Sequence, residues 1–589
     1  MTSEASREPF RGIRLALLVG AAAAFVSAIA LARRIGPALL ADPEASWAPS
    51  RLLLGLAVAA GAAAAGAMAT AGFLAWARSS GAGEELSPIP FRSSTLAALT
   101  LLAIVTGAAL RFAALERVPE WLWVDDLSLM RPALELSGRP SDFSDSIRAV
   151  PYGVPKPYGS VGVLYLEGYR AALAFAGTTV LGVRLPSALA GAASLVTAAL
   201  LGRALLPPGG GMLAALVLAG LRWHLILSRW AFVMILLAPI VDLATLALLS
   251  SRKRRSLTRA LAAGIIGGLG AHVYLSAWPA GAALALFALW PAEAGERAGA
   301  RVARSAAFAL GFAVCAAPLF LFHEGRAASY FARTADHNVL LEMRRTGSLR
   351  PPFEAVADAL VSPWLLGDPT PRHDLPGRTR LGWILGIPVA IALGRALVRP
   401  RDAISGLLLA HAAAFLAAVT AGGQADIPNG SRFAYLSTLT AVAAAAGILW
   451  LLGRVPPRSR RAAALAAIGA IAVEGAVSAR AALRFWPEHP ETFRGFHGQD
   501  TLIGQAAARW DRYGSVEIAR GLGHSSLAIE AVRRFRLDPR ADGAAAPGGP
   551  VSLRARIVAP GTEAGSGEHP VERIVDPWGK SWAVIFARR

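Results

Sequence analysis

Residues 229–255 read RWAFVMILLAPIVDLATLALLSSRKRR. Between Trp230 and Leu249 the only charge is Asp242, so this stretch gives about 20 consecutive, mostly apolar residues. At about 1.5 Å rise per residue these cover the roughly 30 Å hydrocarbon core of a bilayer. Arg252, Lys253, Arg254 and Arg255 then close the run as a basic cytoplasmic flank closes a span. Similar runs recur as far as Ala479. The chain as a whole is 54% hydrophobic and 17% charged, with a mean hydropathy of +0.47. A water-facing surface needs more polar area than that, so lipid must solvate most of the chain.

Working outward, the apolar runs predict spans near 13–32, 52–77, 94–114, 184–204, 209–227, 229–250, 258–275, 278–291, 305–322, 381–398, 403–421, 433–452 and 461–480. The expected fold is an all-α polytopic membrane bundle of about 13 transmembrane helices. The first run is too long for a signal-peptide core and reads as an uncleaved span. With the N-terminus inside, the cluster at 252–259, Arg395 with Arg399 and Arg401, and Arg454 with Arg458, Arg460 and Arg461 all fall in the cytoplasm. Arg33, Arg34 and Arg51 fall outside and run against that rule. Residues 115–183, the turn at Ser228-Arg229, residues 323–380, residues 422–432 and the C-terminal tail are then exterior.

The net charge of +20 belongs to span ends, so it reports topology and not nucleic-acid binding. Cys315 is the single cysteine, which excludes a disulfide within the chain. From about residue 481 Pro, Gly and charge rise. Residues 551–558 alternate as a half-buried strand, and Ile574-Val575, the turn 576–580 and residues 581–586 read as a closing hairpin. A small C-terminal α/β domain is expected over 481–589, after two N-terminal helices in 1–93 and a transmembrane bundle in 94–480. Residues 542–549 read as a linker.

Several residues carry candidate chemistry. Asp125 and Asp126 follow the aromatic cluster Trp121-Leu122-Trp123 in the first long exterior loop. In a low-dielectric niche one carboxylate can act as a base, or the pair can hold a divalent cation. The plainer reading is a helix N-cap ahead of Leu127. Lys156, between Pro155 and Pro157, can meet a lipid phosphate or simply snorkel. Arg229 interrupts two apolar runs and suits bidentate phosphate contact, although arginines at such positions also anchor helices. Arg333, His373 and Arg432 lie in later exterior segments. His224 reads as an interfacial residue. Asp242 and Glu474 lie within spans, where a carboxylate is a functional candidate.

In order along the chain come Arg111-Phe112 with Asp125-Asp126, Arg184-Leu185-Pro186-Ser187-Ala188, Ser228-Arg229 and Val273-Tyr274-Leu275-Ser276. Phe331 with Arg333, Gly367-Asp368 through His373, and Pro428 with Arg432 follow. This series, over residues 94–510, resembles the glycosyltransferase C (GT-C) superfamily, in the clan of protein mannosyltransferases and lipid A aminoarabinose transferases. The resemblance implies a membrane glycosyltransferase with a polyprenyl-phosphate sugar donor and an active site on the exterior face of the inner membrane. The acceptor is a glycan, lipid or protein. It implies Asp125 as the residue that activates the acceptor and Asp126 beside it. Lys156, Arg229, Arg333, His373, Arg432 and Tyr274 are implied for the donor phosphate and substrate. The family usually has Asp-Glu where this chain has Asp-Asp, and Asn429 stands where relatives often carry His. No cofactor is implied beyond the divalent metal ion that the acidic pair can hold. Two other classes stay open: a multi-span transporter or flippase, suggested by Asp242 and Glu474, and a non-catalytic assembly or receptor subunit that uses its C-terminal domain to bind.

Overall fold

A computed structural model describes residues 86–124, 127, 133–134, 163–293, 295–321, 339–348, 350–421, 430, 432–537 and 553–588. The expected spans 13–32 and 52–77, the linker 542–549, and Asp125, Asp126, Lys156 and Arg333 lie outside the described residues. Residues Leu86–Ala392 and Arg401–Arg589 form one compact unit, and Leu393–Pro400 belong to another.

The apolar runs become helices: α1 (Ser93–Phe112), α2 (Val163–Ala176), α3 (Val180–Leu205), α4 (Gly210–Gly220), α5 (Arg222–Leu227), α6 (Leu237–Arg254), α7 (Leu257–Leu269), α8 (Ala277–Leu289) and α9 (Ala298–Ala316). After α10 (Val339–Thr346) and α11 (Arg350–Val361) come α12 (Trp383–Val398), α13 (Ala403–Ala421), α14 (Leu436–Leu452) and α15 (Pro457–Arg480). Among the described residues six helical stretches are long and apolar enough to cross a membrane: Ser93–Phe112, Val180–Leu205, Val233–Arg254, Ala298–Phe320, Ala403–Thr420 and Pro457–Phe485. Four shorter apolar helices accompany them, so the protein is a membrane protein with a largely helical body.

Two expectations differ in detail. The run 209–227 is not one span but α4 and α5, parted at Leu221. The break lets Arg222 pair with Asp374 and keeps a cation out of a continuous apolar helix. The loop 115–183 contains the helix α2, which carries the ion pair Glu167–Arg170.

Outward-facing apolar residues mark the lipid surface. Leu101, Leu102 and Val105 of α1, Val302, Leu310 and Val314 of α9, and Val473 and Val477 of α15 are all exposed. Inside, small residues bring helices close. A side chain on Gly264 of α7 would run into the carbonyl of Phe308, and one on Gly311 of α9 into that of Leu261. Asp242 joins three helices: it accepts from Thr197 Oγ1 of α3 at 2.5 Å and from Thr438 Oγ1 of α14 at 2.8 Å.

Beyond α15 the chain forms α16 (Pro490–Phe496), α17 (Gly498–Trp510), β1 (Gly514–Ile518), α18 (Ser526–Phe535), β2 (Leu553–Val558), β3 (His569–Val575) and β4 (Ser581–Arg588). The sheet order is β1-β2-β4-β3, with β1 and β2 parallel and the other pairs antiparallel. The expected β3–β4 hairpin is present. Its turn is held by Asp576, whose carboxylate accepts from the Trp578 and Lys580 amides and from Trp582 Nε1. Ile503, Ala506 and Ala507 of α17 and Ile529 of α18 pack on Val516, Ile557, Ile574 and Ile585 of the sheet, giving this segment its own core.

Candidate active site

The site is built where the C-terminal end of α1, the N-terminal end of α3 and the junction of α5 with α6 meet. Three arginines are buried there, and each is spent on backbone carbonyls. Arg111 donates to the carbonyls of Gly107 (2.7 Å) and Leu218 (3.1 Å) and lies 2.6 Å from His224 Nδ1. Arg229 donates from Nη1 to Leu110 and Arg111 and from Nη2 to Ala113 and Val118, at 2.5–3.2 Å. Arg184 donates to Leu115, Glu116 and Trp121 at 2.8–3.3 Å. A chain leaving a helix has carbonyls without intrahelical partners, and a guanidinium carries enough donors to satisfy several at once. The segment 110–121 therefore turns over the bundle in a fixed path, ending four residues before Asp125.

A second loop, 367–380, comes to the same end. Asp368 is buried and accepts from the Thr370 amide (2.9 Å), the Gly430 amide (2.7 Å) and Arg380 Nη2 (2.8 Å), with His373 Nδ1 at 3.4 Å. Burial alone would raise its carboxyl, but His373, Arg380 and the Thr370 amide outweigh burial and hold it at about 2. Burial pushes the His373 imidazole down. Asp374 accepts Arg222 Nε at 2.6 Å and Nη2 at 3.1 Å, a buried bidentate pair. His373 stacks on Trp230, ring centroids 6.2 Å apart, so the loop rests beside Arg229. The Gly430 contact ties in the segment that carries Arg432.

The C-terminal segment supplies the third wall. Trp121 meets Phe493 edge to face at 4.8 Å, and the Leu122 amide donates to Thr501 Oγ1 at 3.2 Å. Trp123 stacks on His497 at 5.1 Å and lies under the Arg372 guanidinium at 3.7 Å. Arg372 also donates to the Gly495 carbonyl, and Trp486 Nε1 to that of Pro371 (2.8 Å).

Of the residues expected from sequence, Arg229, His373 and the start of the Arg432 segment are thus brought to one end of the bundle. The opposite end is marked by Ile89, whose amide donates to Pro208 at 3.0 Å, and by Ser87 bonded to Leu449. Tyr274 is buried in the turn between Gly270–His272 and α8. The four hydrogen bonds of Arg229 all go to backbone carbonyls. Asp125, Asp126, Lys156 and Arg333 are outside the described residues. Among the described residues no group of three His, Cys, Asp or Glu is placed to hold a metal ion. Sequence reasoning missed His497, His524 and Thr501. Nothing in their spacing pairs them with Trp123, which lies more than 300 positions away.

No protein-family profile and no curated protein sequence matches this chain. Solved structures do. ArnT from Cupriavidus metallidurans in the apo state superposes with a TM-score of 0.50 at 13% identity, covering 84% of this chain and 98% of that one. The chain shares the fold of that ArnT structure. ArnT bound to undecaprenyl phosphate gives a TM-score of 0.46 at the same identity and coverage. The Archaeoglobus fulgidus oligosaccharyltransferase tethered to an acceptor peptide gives 0.43 at 16% identity over 71% of this chain. This chain spans 57% of the length of that oligosaccharyltransferase. In this chain, arginines at the ends of the apolar helices turn inward and fix the segment 110–121.

Proposed function

We propose that the chain is an integral membrane glycosyltransferase that moves a sugar from a polyprenyl-phosphate donor to an acceptor at the exterior face of the inner membrane. The observation that carries this reading is the convergence on residues 110–123. Arg184, Arg229 and the C-terminal segment all grip the stretch that leads into Asp125 and Asp126, at the end where His373 and the Arg432 segment also meet. Groups that must act together on one bond need this kind of fixed scaffold.

In the reaction, Asp125 accepts the proton of the acceptor hydroxyl or amine as that atom attacks the anomeric carbon. The bond from that carbon to the phosphate oxygen breaks, and the electron pair leaves with the polyprenyl phosphate. One displacement inverts the anomeric centre, so no sugar-enzyme intermediate is needed. We assign Lys156, Arg333 and Arg432 to stabilising the developing phosphate charge, and Asp126, Tyr274 and His373 to binding the substrate. Arg229 acts by holding the first loop. The catalytic bundle is residues 94–480, with 1–93 and 481–589 as flanking parts. A divalent ion, if used, would be held by Asp125 and Asp126.

The transporter alternative rests on Asp242 and Glu474. Both oxygens of Asp242 are taken by threonine hydroxyls, which suits an interhelical tie better than a titrating ion site. Mass spectrometry of membrane lipids and surface glycans tests the proposal. Cells lacking the protein should show one acceptor short of a single sugar mass, with the unused donor accumulating. Unchanged lipids and glycans would refute the transferase reading.

A further inference from the structure

His497 and His524 lie outside every contact that the reaction above uses, yet their rings are stacked face to face, centroids 3.5 Å apart and planes within 6°. His524 is fixed from behind, because Asp500 accepts its backbone amide at 2.7 Å and that of Ser525 at 2.8 Å at the start of α18. Trp123 joins the stack at 5.1 Å from His497 and 6.3 Å from His524, with planes tilted by 22° and 26°. Arg372 lies over the same indole at 3.7 Å. Four flat groups from three distant parts of the chain thus share one contact, two residues before Asp125.

The backbone gives a second, independent sign. His497 takes φ of 50°, the left-handed region where glycine is at ease and histidine is not. It does so between α16 and α17, where the sequence offers Gly498 one position later. That backbone sets the ring against Trp123 and His524. Burial, then His524 and Arg372, push the His497 imidazole down to about 4, so at neutral pH it is uncharged and can stack beside the Arg372 cation.

We propose that His497 and His524 are positioning residues for the transfer site: their stacked pair holds Trp123, and through it the chain that enters Asp125 and Asp126. What is positioned rests on the glycosyltransferase reading. The contact itself does not. On this view the C-terminal segment is a working wall of the site, because its ring pair sets the position of Trp123.

The test compares the full-length protein in detergent with H497G, H497F and H524A by hydrogen–deuterium exchange, following the peptide that spans residues 115–124. Glycine relieves the backbone and deletes the ring, whereas phenylalanine keeps a flat uncharged ring at the same φ. H497G and H524A should raise exchange in 115–124 by about ten-fold, while α17 and the sheet keep their protection. H497F should stay within about two-fold of the unaltered protein. The sugar-transfer readout in cells should follow the same order, with H497F active and H497G impaired. Unchanged exchange of 115–124 in both ring deletions would overturn the proposal. So would H497F behaving as H497G does. If unaltered protein transfers no sugar, the enzyme reading falls, yet the exchange result still decides the contact.

Discussion

Nη2 of Arg184 lies 3.1 Å from the carbonyl oxygen of Trp121, joining the first turn of a transmembrane helix to the loop four residues ahead of Asp125. The same guanidinium reaches Leu115 and Glu116, so one side chain sets both the start and the end of that loop segment. Arg184→Met should therefore leave three carbonyls without their donor, two of them in buried bonds. Hydrogen bonds to charged groups contribute about 1.5–3 kcal/mol each, and the losses are only partly additive, so a destabilisation of about 3–5 kcal/mol is expected. Thermal unfolding in detergent measures it, and sugar transfer should fall with it. An unchanged midpoint would mean that the loop finds its path without Arg184.

Asp368 makes the stability of the second loop depend on pH. Its carboxyl is held at about 2 in the folded protein, against an ordinary value near 3.8. The folded value is depressed, so the contribution is fully present above about pH 4 and is lost as pH falls through 2. The difference corresponds to about 2 kcal/mol. Asp368→Asn should remove that contribution at neutral pH, and the gap between variant and unaltered protein should close between pH 4 and 2. Melting curves across that range decide it. A gap that persists at pH 2 would assign the loss to packing.

Asp242 distinguishes an enzyme from a transporter. An asparagine there keeps an acceptor for one threonine and a donor for the other, so Asp242→Asn should cost about 1 kcal/mol or less, with sugar transfer within about two-fold. Asp242→Leu should cost about 2–4 kcal/mol, because Thr197 and Thr438 lose their buried partner. A loss of function with Asp242→Asn at full stability would favour an ion-coupled role.

Much of this architecture is written in the sequence, because a membrane helix needs only length and apolar character. The runs at 94–114, 403–421 and 461–480 correspond to Ser93–Phe112, Ala403–Ala421 and Pro457–Arg480. The C-terminal hairpin was equally legible, since alternating residues about Asp576–Gly579 leave few alternatives. The direction of the arginines was not legible. A cation ending an apolar run reads the same whether it meets lipid phosphate or turns inward to carbonyls, as Arg111, Arg184 and Arg229 do. Parallel pairing of β1 with β2 escaped for a related reason: Gly514–Ile518 is short and its partner lies across α18. The stack of Trp123 on His497 depends on two segments docking after each has folded, which no local pattern encodes.

The central claim is that Asp125 activates the acceptor on a loop held by Arg184, Arg229 and the C-terminal wall. It is tested most directly by restoring cells that lack the protein with either the unaltered chain or Asp125→Asn, at matched membrane abundance. The sugar mass on the acceptor is then followed by mass spectrometry. The account predicts that the unaltered chain restores the modification, while Asp125→Asn leaves the acceptor unmodified, with transfer reduced by about 100-fold or more. Transfer by Asp125→Asn at the normal rate would contradict it.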